Sequence, residues 1–437
     1  MEARRLPPRP NLEHYKKKAK NLLKACRASD PRVLHEWVAR WVDIRADEDA
    51  EVQARLRGVP LTQPLLEAVV REEIARIEKG ITESDLAKPD PKLADAQLFV
   101  ARLYGFESWP KFSTQVHDLP RFEQAADAIV SGDVPTLERL LRGDPSLISS
   151  RSQRAHNATL LHYVAANGIE DFRQKTPKNI GDITRLLLEA GAEVDAESKA
   201  YGGASTTLGL AATSVHPERA GVQEALLQVL LDHGAQIDKP AAGGNRHSIL
   251  EGCLWNGRGR AAAFLASRGA QLNLETAAGT GRIDVVRSFF SEKGDLNPVV
   301  KKEQFQRGFL WACEYGHPHV AEFLLDRGAD LRDQAGTRES GLHWAVVGGQ
   351  ISILNLLLKR GAPLEERNAY GGTPLEQAGW SFVNGDSRID YVPVFETLLA
   401  AGAKIEEGWL GWLEQQNMRP EAERSRLREL FRRYGAS

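Results

Sequence analysis

The chain has 437 residues, of which 42% are hydrophobic and 27% charged, as in an ordinary globular protein. The formal net charge is only −2 at pH 7, so charge gives no reason to expect a nucleic-acid or membrane partner. Cys26, Cys253 and Cys313 are too widely separated for a disulfide framework or for paired metal ligands. Since there is no apolar signal core and no stretch near the ~18 apolar residues of a membrane span, we expect a cytoplasmic protein.

The N-terminal quarter of the chain lacks the repeat that organises the rest. The spacing of its apolar residues predicts a helix over Asn11 to Arg27, a second over about 32–57 and a third over about 62–79. A further helix is predicted after the KPDPK break at 88–92. The lysines of the first helix indicate either a solvated face or a site for an anionic partner.

The remainder of the chain repeats one pattern, a leucine-rich segment that ends in a glycine. The spacing of these glycines is mostly about 33 residues, and such a period predicts a stack of small units that bury their apolar faces against one another. Glycine at this position is expected to end a helix in the left-handed conformation. The turn glycines are Gly191, Gly234, Gly269, Gly294, Gly328, Gly361, Gly402 and Gly435.

The most regular unit reads SGLHWAVVGGQISILNLLLKRGA, starting at Ser340. Its first half recurs as TLLHYVAANG at 159–168, and GGTPL at 371–375 supplies a Thr-Pro-Leu start. These residues resemble the ankyrin repeat, a β-turn and two antiparallel helices with the hallmarks T-P-L-H-x-A and L-L-x-x-G-A. The resemblance covers roughly 122–437, and the helical segments before it look like the leader found on many bacterial ankyrin proteins.

The resemblance implies an all-α fold, an ankyrin-repeat solenoid of about eight units plus a C-terminal cap, preceded by a small helical domain. We therefore expect a helical N-terminal domain over 1–118, an ankyrin-like array over 119–404 and a capping repeat over 405–437. The arginine-rich last helix agrees with a cap, because a terminal repeat needs a polar outer face.

The resemblance also implies a role for the histidine of each unit. His162 and His343 stand where an ankyrin histidine hydrogen-bonds the backbone between repeats, which favours a structural role over catalysis. Glu251, Glu275 and Glu376 replace this histidine in three units. They either accept the same bonds between repeats or form an acidic strip that binds a cation or a basic segment.

Sequence motifs for chemistry are weak. His317 and His319 have an H-x-H spacing but no third metal ligand, and a histidine after the helix-ending glycine is itself part of the ankyrin pattern. The chain has no P-loop, HExxH or GxSxG motif. We therefore predict no catalytic residue, no metal and no cofactor.

Three units carry extra residues between their first and second helices. These insertions lie within 170–181, 216–222 and 383–393. One interpretation is neutral drift, because longer surface loops are tolerated at little thermodynamic cost. The other is a binding edge, because insertions that share one junction project from one side of a repeat stack.

In an ankyrin-like stack the first helices line the concave side. Positions one, four and five residues after the histidine of each unit are expected to point into that groove, and four of the nine tryptophans fall there. The rings either pack on one another as additional core or form a binding groove, since aromatic residues dominate binding hot spots. The candidate residues are Tyr163, Trp255, Asn256, Trp311, Glu314, Tyr315, Trp344, Gln377 and Trp380.

We therefore predict a monomeric, non-enzymatic interaction protein that binds a protein or peptide partner through this groove and the edge insertions. In a second interpretation the insertions close the groove over a small-molecule ligand. Glu314, Tyr315, Asn256 or His343 would then act as acid–base or polarising groups of an unusual enzyme. A third interpretation is a scaffold without a groove ligand, in which the aromatic side chains are fully packed together.

Overall fold

The chain divides into two compact units, Met1–Ile249 and Leu250–Ser437, here called the first and the second unit. None of the described helices combines the length and apolarity that a membrane crossing requires. The computed structural model describes residues 12–28, 30–43, 63–117, 121–239, 248–333, 339–405, 407–416 and 419–435.

The first unit begins with helices that pack around an aromatic and aliphatic core. Tyr15 and Phe112 of this core meet edge to face, with ring centroids 5.1 Å apart. The predicted second helix is confirmed as far as residue 43, and the rest of its predicted span lies outside the described residues. The elements are α1 (Leu12–Cys26), α2 (Pro31–Asp43), α3 (Gln63–Thr82), a 3₁₀ helix (Asp85–Ala87), α4 (Leu93–Leu103) and α5 (Trp109–His117).

Helix pairs follow in the same unit. In one of them the first helix is a single 3₁₀ stretch, Leu160–Ala165, which packs against the helices before and after it. A two-stranded antiparallel hairpin pairs Glu197 with Thr206. The elements are α6 (Arg121–Ser131), α7 (Val134–Gly143), α8 (Ile180–Glu189), β1 (Glu197–Ser198), β2 (Ser205–Thr206), α9 (Thr207–Thr213), α10 (Val215–Arg219) and α11 (Gln223–Asp232), with short 3₁₀ helices at Pro145–Ile148, Asp171–Arg173 and Ala200–Gly202.

The second unit is a row of helix pairs that share one core. Its helices are α12 (Ile249–Trp255), α13 (Gly259–Ser267), α14 (Leu274–Gly279), α15 (Ile283–Ser288), α16 (Lys302–Glu314), α17 (Pro318–Leu325), α18 (Gly341–Val347), α19 (Ile351–Lys359), α20 (Pro374–Asn384), α21 (Val392–Ala400), α22 (Trp409–Glu414) and α23 (Glu421–Arg433). The first helices of neighbouring pairs lie side by side in the order α14, α16, α18 and α20. The prediction of an all-α repeat fold is therefore confirmed.

The predicted turn glycines explain how each pair ends. All eight have positive φ, from 82° at Gly361 to 100° at Gly402. At Gly328, with φ of 91°, no other atom stands within 4 Å of the place where a Cβ would be. Backbone conformation rather than lack of space therefore requires glycine here, because a Cβ is strained in the left-handed region.

Candidate partner-binding surface

The histidines of the repeat motif hold neighbouring repeats together. His162 is fully buried and its Nε2 lies 3.2 Å from the carbonyl oxygen of Ser205; the Nε2 of His343 lies 3.1 Å from that of Gly372. Burial lowers the pKa of His162 to about 4, so its ring is neutral at pH 7. His317 bonds a backbone carbonyl of the preceding helix pair at 3.1 Å. The expected structural roles are confirmed.

The glutamates that replace this histidine divide into two groups. Glu251 accepts a hydrogen bond from Asn273 at 2.8 Å, and Glu275 forms an ion pair with Arg307 at 2.9 Å, so both connect neighbouring helix pairs. Glu376 instead bonds within its own repeat, where its carboxylate accepts a hydrogen bond from the backbone N–H of Thr373, just before α20, at 2.6 Å. Two of the three glutamates therefore make bonds between repeats, but to side chains and not to the backbone as the histidines do.

Trp255 is the best-supported member of the predicted groove. Its ring is 44% exposed, whereas Trp311 beneath it is only 3% exposed, and the two rings meet edge to face at 5.4 Å. The guanidinium carbon of Arg307 lies 5.4 Å from the centroid of the Trp255 ring, and the same guanidinium group pairs with Glu275 at 2.9 Å. The exposed indole is thus held in place by a buried ring and a paired cation.

A small residue lies close to both of the helices that carry these two rings. Gly279 ends α14, and a Cβ there would lie 2.7 Å from a methyl of Leu254 and 3.2 Å from the Cβ of Trp311. Since a contact under 3.0 Å requires a neighbour to move, a larger residue here would displace the Leu254 side chain.

The other predicted groove residues differ in exposure. Trp380 is 57% exposed and Asn256 is also exposed, whereas Trp344 is partly buried against the core of the second unit. Gln377 is buried, with its carbonyl oxygen 3.3 Å from the side-chain nitrogen of Asn368. The expectation that it points into an open groove is wrong, because this hydrogen bond uses its side chain inside the repeat.

Tyr163 also fails to line a groove. It lies in the first unit, is fully buried, and its hydroxyl donates to Glu170 at 3.4 Å. The 3₁₀ form of its helix and the residues of the first insertion, which fold over it, account for this burial. It is a core residue.

Glu314 and Tyr315 sit at the end of α16. The Tyr315 hydroxyl donates to the backbone carbonyl of Leu254, and its ring covers Gly259. Burial raises the pKa of Glu314 to about 8, and the neighbouring carboxylate of Glu339 adds to this shift. Burial likewise raises the pKa of Glu339 to about 7. At neutral pH Glu314 is therefore mainly protonated, and the acidic group that the sequence suggests for the groove carries little charge.

The insertions are anchored to the repeats. The first brings Arg173 into the core, the second buries Pro217, and the third buries Tyr391. The Tyr391 hydroxyl donates to the carbonyl oxygen of Val347 at 3.0 Å. Each insertion therefore has a buried side chain that fixes it to the repeats.

The first insertion completes a group of charges that sequence analysis missed, here called the buried charge cluster: Glu123, Arg154, Glu170 and Arg173. All four side chains are buried. Glu170 pairs with Arg154 and, at 3.2 Å, with Arg173, while Glu123 pairs with Arg173 at 2.6 Å. Arg154 also donates to the backbone carbonyl of Tyr104 at 2.5 Å, which ties the N-terminal helices to the first repeats. Two carboxylates and two guanidinium groups leave the cluster neutral.

A second feature missed by sequence analysis is a pocket between α20 and α22, here called the tryptophan pocket. Its volume is about 510 Å³. Trp409 and Trp412 meet edge to face at 5.3 Å, and Gly379 lets them approach α20, since a Cβ there would stand 3.2 Å from the Trp409 ring. In the sequence, only the two tryptophans of WLGWLE, at 409–414, could have indicated this pocket. The side chains that shape the pocket are Glu376, Trp380, Val383, Glu407, Trp409 and Trp412.

The first unit has a groove that is lined by several basic side chains. It lies between α1 and α2, has a volume of about 710 Å³, and is lined by Lys17, Lys24 and Arg40 among other residues. The ammonium of Lys18 stands 4.5 Å from the centre of the Trp41 ring, so part of the basic face packs on an aromatic side chain.

The comparison with protein families agrees with the repeat architecture. Residues 274–368 and 309–407 match a family model described as ankyrin repeats (3 copies), and these ranges span α14 to α21. Among solved structures, the crystal structure of the human ASB11 ankyrin repeat domain aligns with 64% of this chain and 99% of that one, at 18% identity and a TM-score of 0.34. No curated protein matches the chain.

Proposed function

Since the chain is an ankyrin-repeat protein, we propose that it is a non-enzymatic interaction protein whose second unit docks a protein or peptide partner. Ankyrin repeats are protein–protein interaction modules, and repeat arrays of this kind present extended surfaces for recognition. The proposed docking surface is the exposed tryptophan face, which comprises Trp255, Asn256, Trp344 and Trp380.

The exposure of Trp255 and Trp380 carries this proposal. They are the only tryptophans among the described residues that count as exposed large apolar side chains. A buried indole contributes much contact area at little entropic cost, and for this reason tryptophan is enriched at binding hot spots. Trp255 already packs against Trp311 and Arg307, so its side chain would lose little conformational entropy when a partner binds.

The same exposure argues against a scaffold without a groove ligand, because that interpretation requires all the rings to be packed together. The packing of some predicted groove residues does, however, make the surface open to a partner smaller than predicted. Tyr163, Trp311 and Gln377 are buried and cannot contact a partner without rearrangement. A test that replaces Trp311 would therefore probe the stability of the core rather than docking.

The small-molecule alternative assigns an acid–base or polarising role to Glu314, whose pKa burial raises to about 8. The test is mass spectrometry of small molecules that copurify with the protein. A metabolite that is bound to the native protein and lost from a folded Glu314→Gln variant would favour this alternative.

Docking is tested with a Trp255→Ala, Trp380→Ala double variant. Both side chains are exposed, so the variant should fold, as circular dichroism would verify. Tyr370→Ala is the matched control, because Tyr370 is 73% exposed but lies in the turn before α20. We expect proteins captured from a lysate by the native chain and the control to be lost from the double variant. Full capture by the folded double variant would refute the proposal.

A further inference from the structure

We propose that the tryptophan pocket receives a cationic side chain, arginine or lysine, from the partner peptide. This inference depends on the proposed docking function, because Trp380 belongs both to the pocket and to the exposed tryptophan face. It adds the chemical class of the residue that is recognised.

The walls of the pocket are aromatic. Trp380 extends from α20 with 57% of its surface exposed, and the partly buried pair Trp409 and Trp412 faces it from α22. Trp409 is backed by the buried rings of Phe395 and Phe431, at 6.0 and 5.5 Å, so this wall is rigid. Tryptophan is the best aromatic partner for a cation, because the face of its ring is electron-rich. The pocket volume of about 510 Å³ lies within the range of ligand pockets, which leaves room for a long side chain.

The charge of the pocket is negative. Glu376 and Glu407 line it, and no lysine or arginine does so among the described residues. Glu376 already accepts a backbone N–H at 2.6 Å and lies 3.3 Å from Arg367. Glu407 is exposed and forms no ion pair with any described residue, so its carboxylate is available to a ligand.

This combination distinguishes a cation from other occupants. An apolar side chain would shield Glu407 from water without giving it a partner, which is unfavourable. An anion would be repelled by Glu407, whereas the charge of Glu376 is already balanced by Arg367. A guanidinium or ammonium group suits both the indole walls and the carboxylate of Glu407, because it can stack on an indole and pair with a carboxylate at the same time.

The test uses the full chain and three tripeptide probes that differ only in the central side chain. They are acetyl-Gly-Arg-Gly-amide, its citrulline analogue, which is neutral and nearly isosteric, and its norleucine analogue, which is apolar. Binding is followed through the indole N–H signals of the tryptophans in nuclear magnetic resonance titrations. We expect the arginine probe to shift the signals of Trp380, Trp409 and Trp412 and to bind at least about tenfold more tightly than the citrulline probe.

Two variants and a control locate the interaction. Trp380→Ala should weaken binding of the arginine probe about 2- to 30-fold, and Glu407→Gln should weaken it about 1.4- to 5-fold. Glu292→Gln, at another exposed position of the second unit, should leave it unchanged. Equal binding of the citrulline probe, tighter binding of the norleucine probe, no binding of any probe, or binding insensitive to both variants would overturn the inference.

The outcome is separable from that of the docking proposal. Trp255→Ala leaves the pocket intact, so it should not change binding of the arginine probe even though it weakens capture of a partner. If the probes fail while capture still depends on Trp255 and Trp380, the docking function stands and only the identity of the recognised residue is wrong.

Discussion

Replacing Glu170 by glutamine should destabilise the first unit strongly, although the two side chains have nearly the same shape. The variant leaves the guanidinium groups of Arg154 and Arg173 facing the single carboxylate of Glu123 in a site that is closed to water. Hydrogen bonding to the new amide cannot replace the lost charge. The energetic penalty is therefore electrostatic and not one of packing.

The structure sets the size of this effect. Removing one partner of a buried ion pair typically costs about 3–5 kcal/mol. Arg173 also contacts Asp127 at 2.8 Å, and that carboxylate is 43% exposed, so it can compensate part of the loss. We therefore expect a loss of about 3 kcal/mol, a large part of the ~5–15 kcal/mol that stabilises a typical domain.

The effect should depend on pH. Burial alone would raise the pKa of Glu170, but the charges of Arg154 and Arg173 outweigh burial and hold this pKa well below its usual range. A carboxyl group of this kind stabilises the fold above its unfolded pKa of about 4.3, and the stabilisation is lost as pH falls through the lower folded value. Glutamine does not titrate, so the difference in stability between native chain and variant should narrow below about pH 4.

The assay is denaturant unfolding at pH 7 and pH 3.5, with hydrogen exchange to assign the transition to the first unit. Glu138→Gln is the control, because Glu138 pairs with Arg142 at 3.6 Å on the surface and should contribute only about 0–1 kcal/mol. A loss below about 1 kcal/mol for Glu170→Gln at pH 7, or a loss as large at pH 3.5 as at pH 7, would refute the reasoning.

Other predictions concern the second unit. Burial raises the pKa of Glu314 to about 8, so the folded protein favours the protonated carboxyl group. The native chain therefore loses stability as pH rises from the unfolded pKa of this group toward 8. The Glu314→Gln variant should have a higher melting temperature than the native chain at about pH 8 but not at about pH 4. Gly328→Ala should destabilise by about 1–2 kcal/mol in thermal unfolding, whereas Gly411→Ala, inside α22 with open space around it, should be neutral or stabilising. His343→Ala should cost about 1–3 kcal/mol, because the carbonyl of Gly372 loses its donor, and an unchanged melting temperature would contradict this.

The features that could be predicted from sequence are those that each repeat determines locally. The positive φ of Gly328, 91°, is expected at the end of a helix. The bond from His343 to the backbone of the next repeat is expected from the place of this histidine in the repeat motif. The buried charge cluster could not be predicted in this way. Glu123 and Arg173 stand 50 residues apart on different elements, and neither belongs to the repeat pattern.

The candidate site was predictable in part, because periodicity on a helix indicates direction but not exposure. Trp255 and Trp311 both stand at positions that are predicted to point into the groove, four residues and one residue after the histidine position of their repeats, yet one is 44% exposed and the other 3%. The difference arises from the surroundings that the fold gives to each ring, since Trp255 packs edge to face against Trp311 at 5.4 Å while keeping part of its own surface exposed. The tryptophan pocket was missed for a related reason, since it forms where α22 packs beside α20 and its walls come from different repeats.

The positions of the two exposed tryptophans constrain the size of a partner that uses both. Trp255 lies on α12 and Trp380 on α20, with the first helices α14, α16 and α18 between them. With about 8–10 Å between neighbouring helix axes, four steps separate the two rings by about 30–40 Å. An extended peptide rises about 3.3 Å per residue, so roughly ten to twelve residues would join an apolar group on Trp255 to a cation in the tryptophan pocket. A shorter peptide could reach only one of the two sites, and we therefore expect affinity to rise sharply once a peptide carrying both groups passes this length, because the second contact then becomes intramolecular.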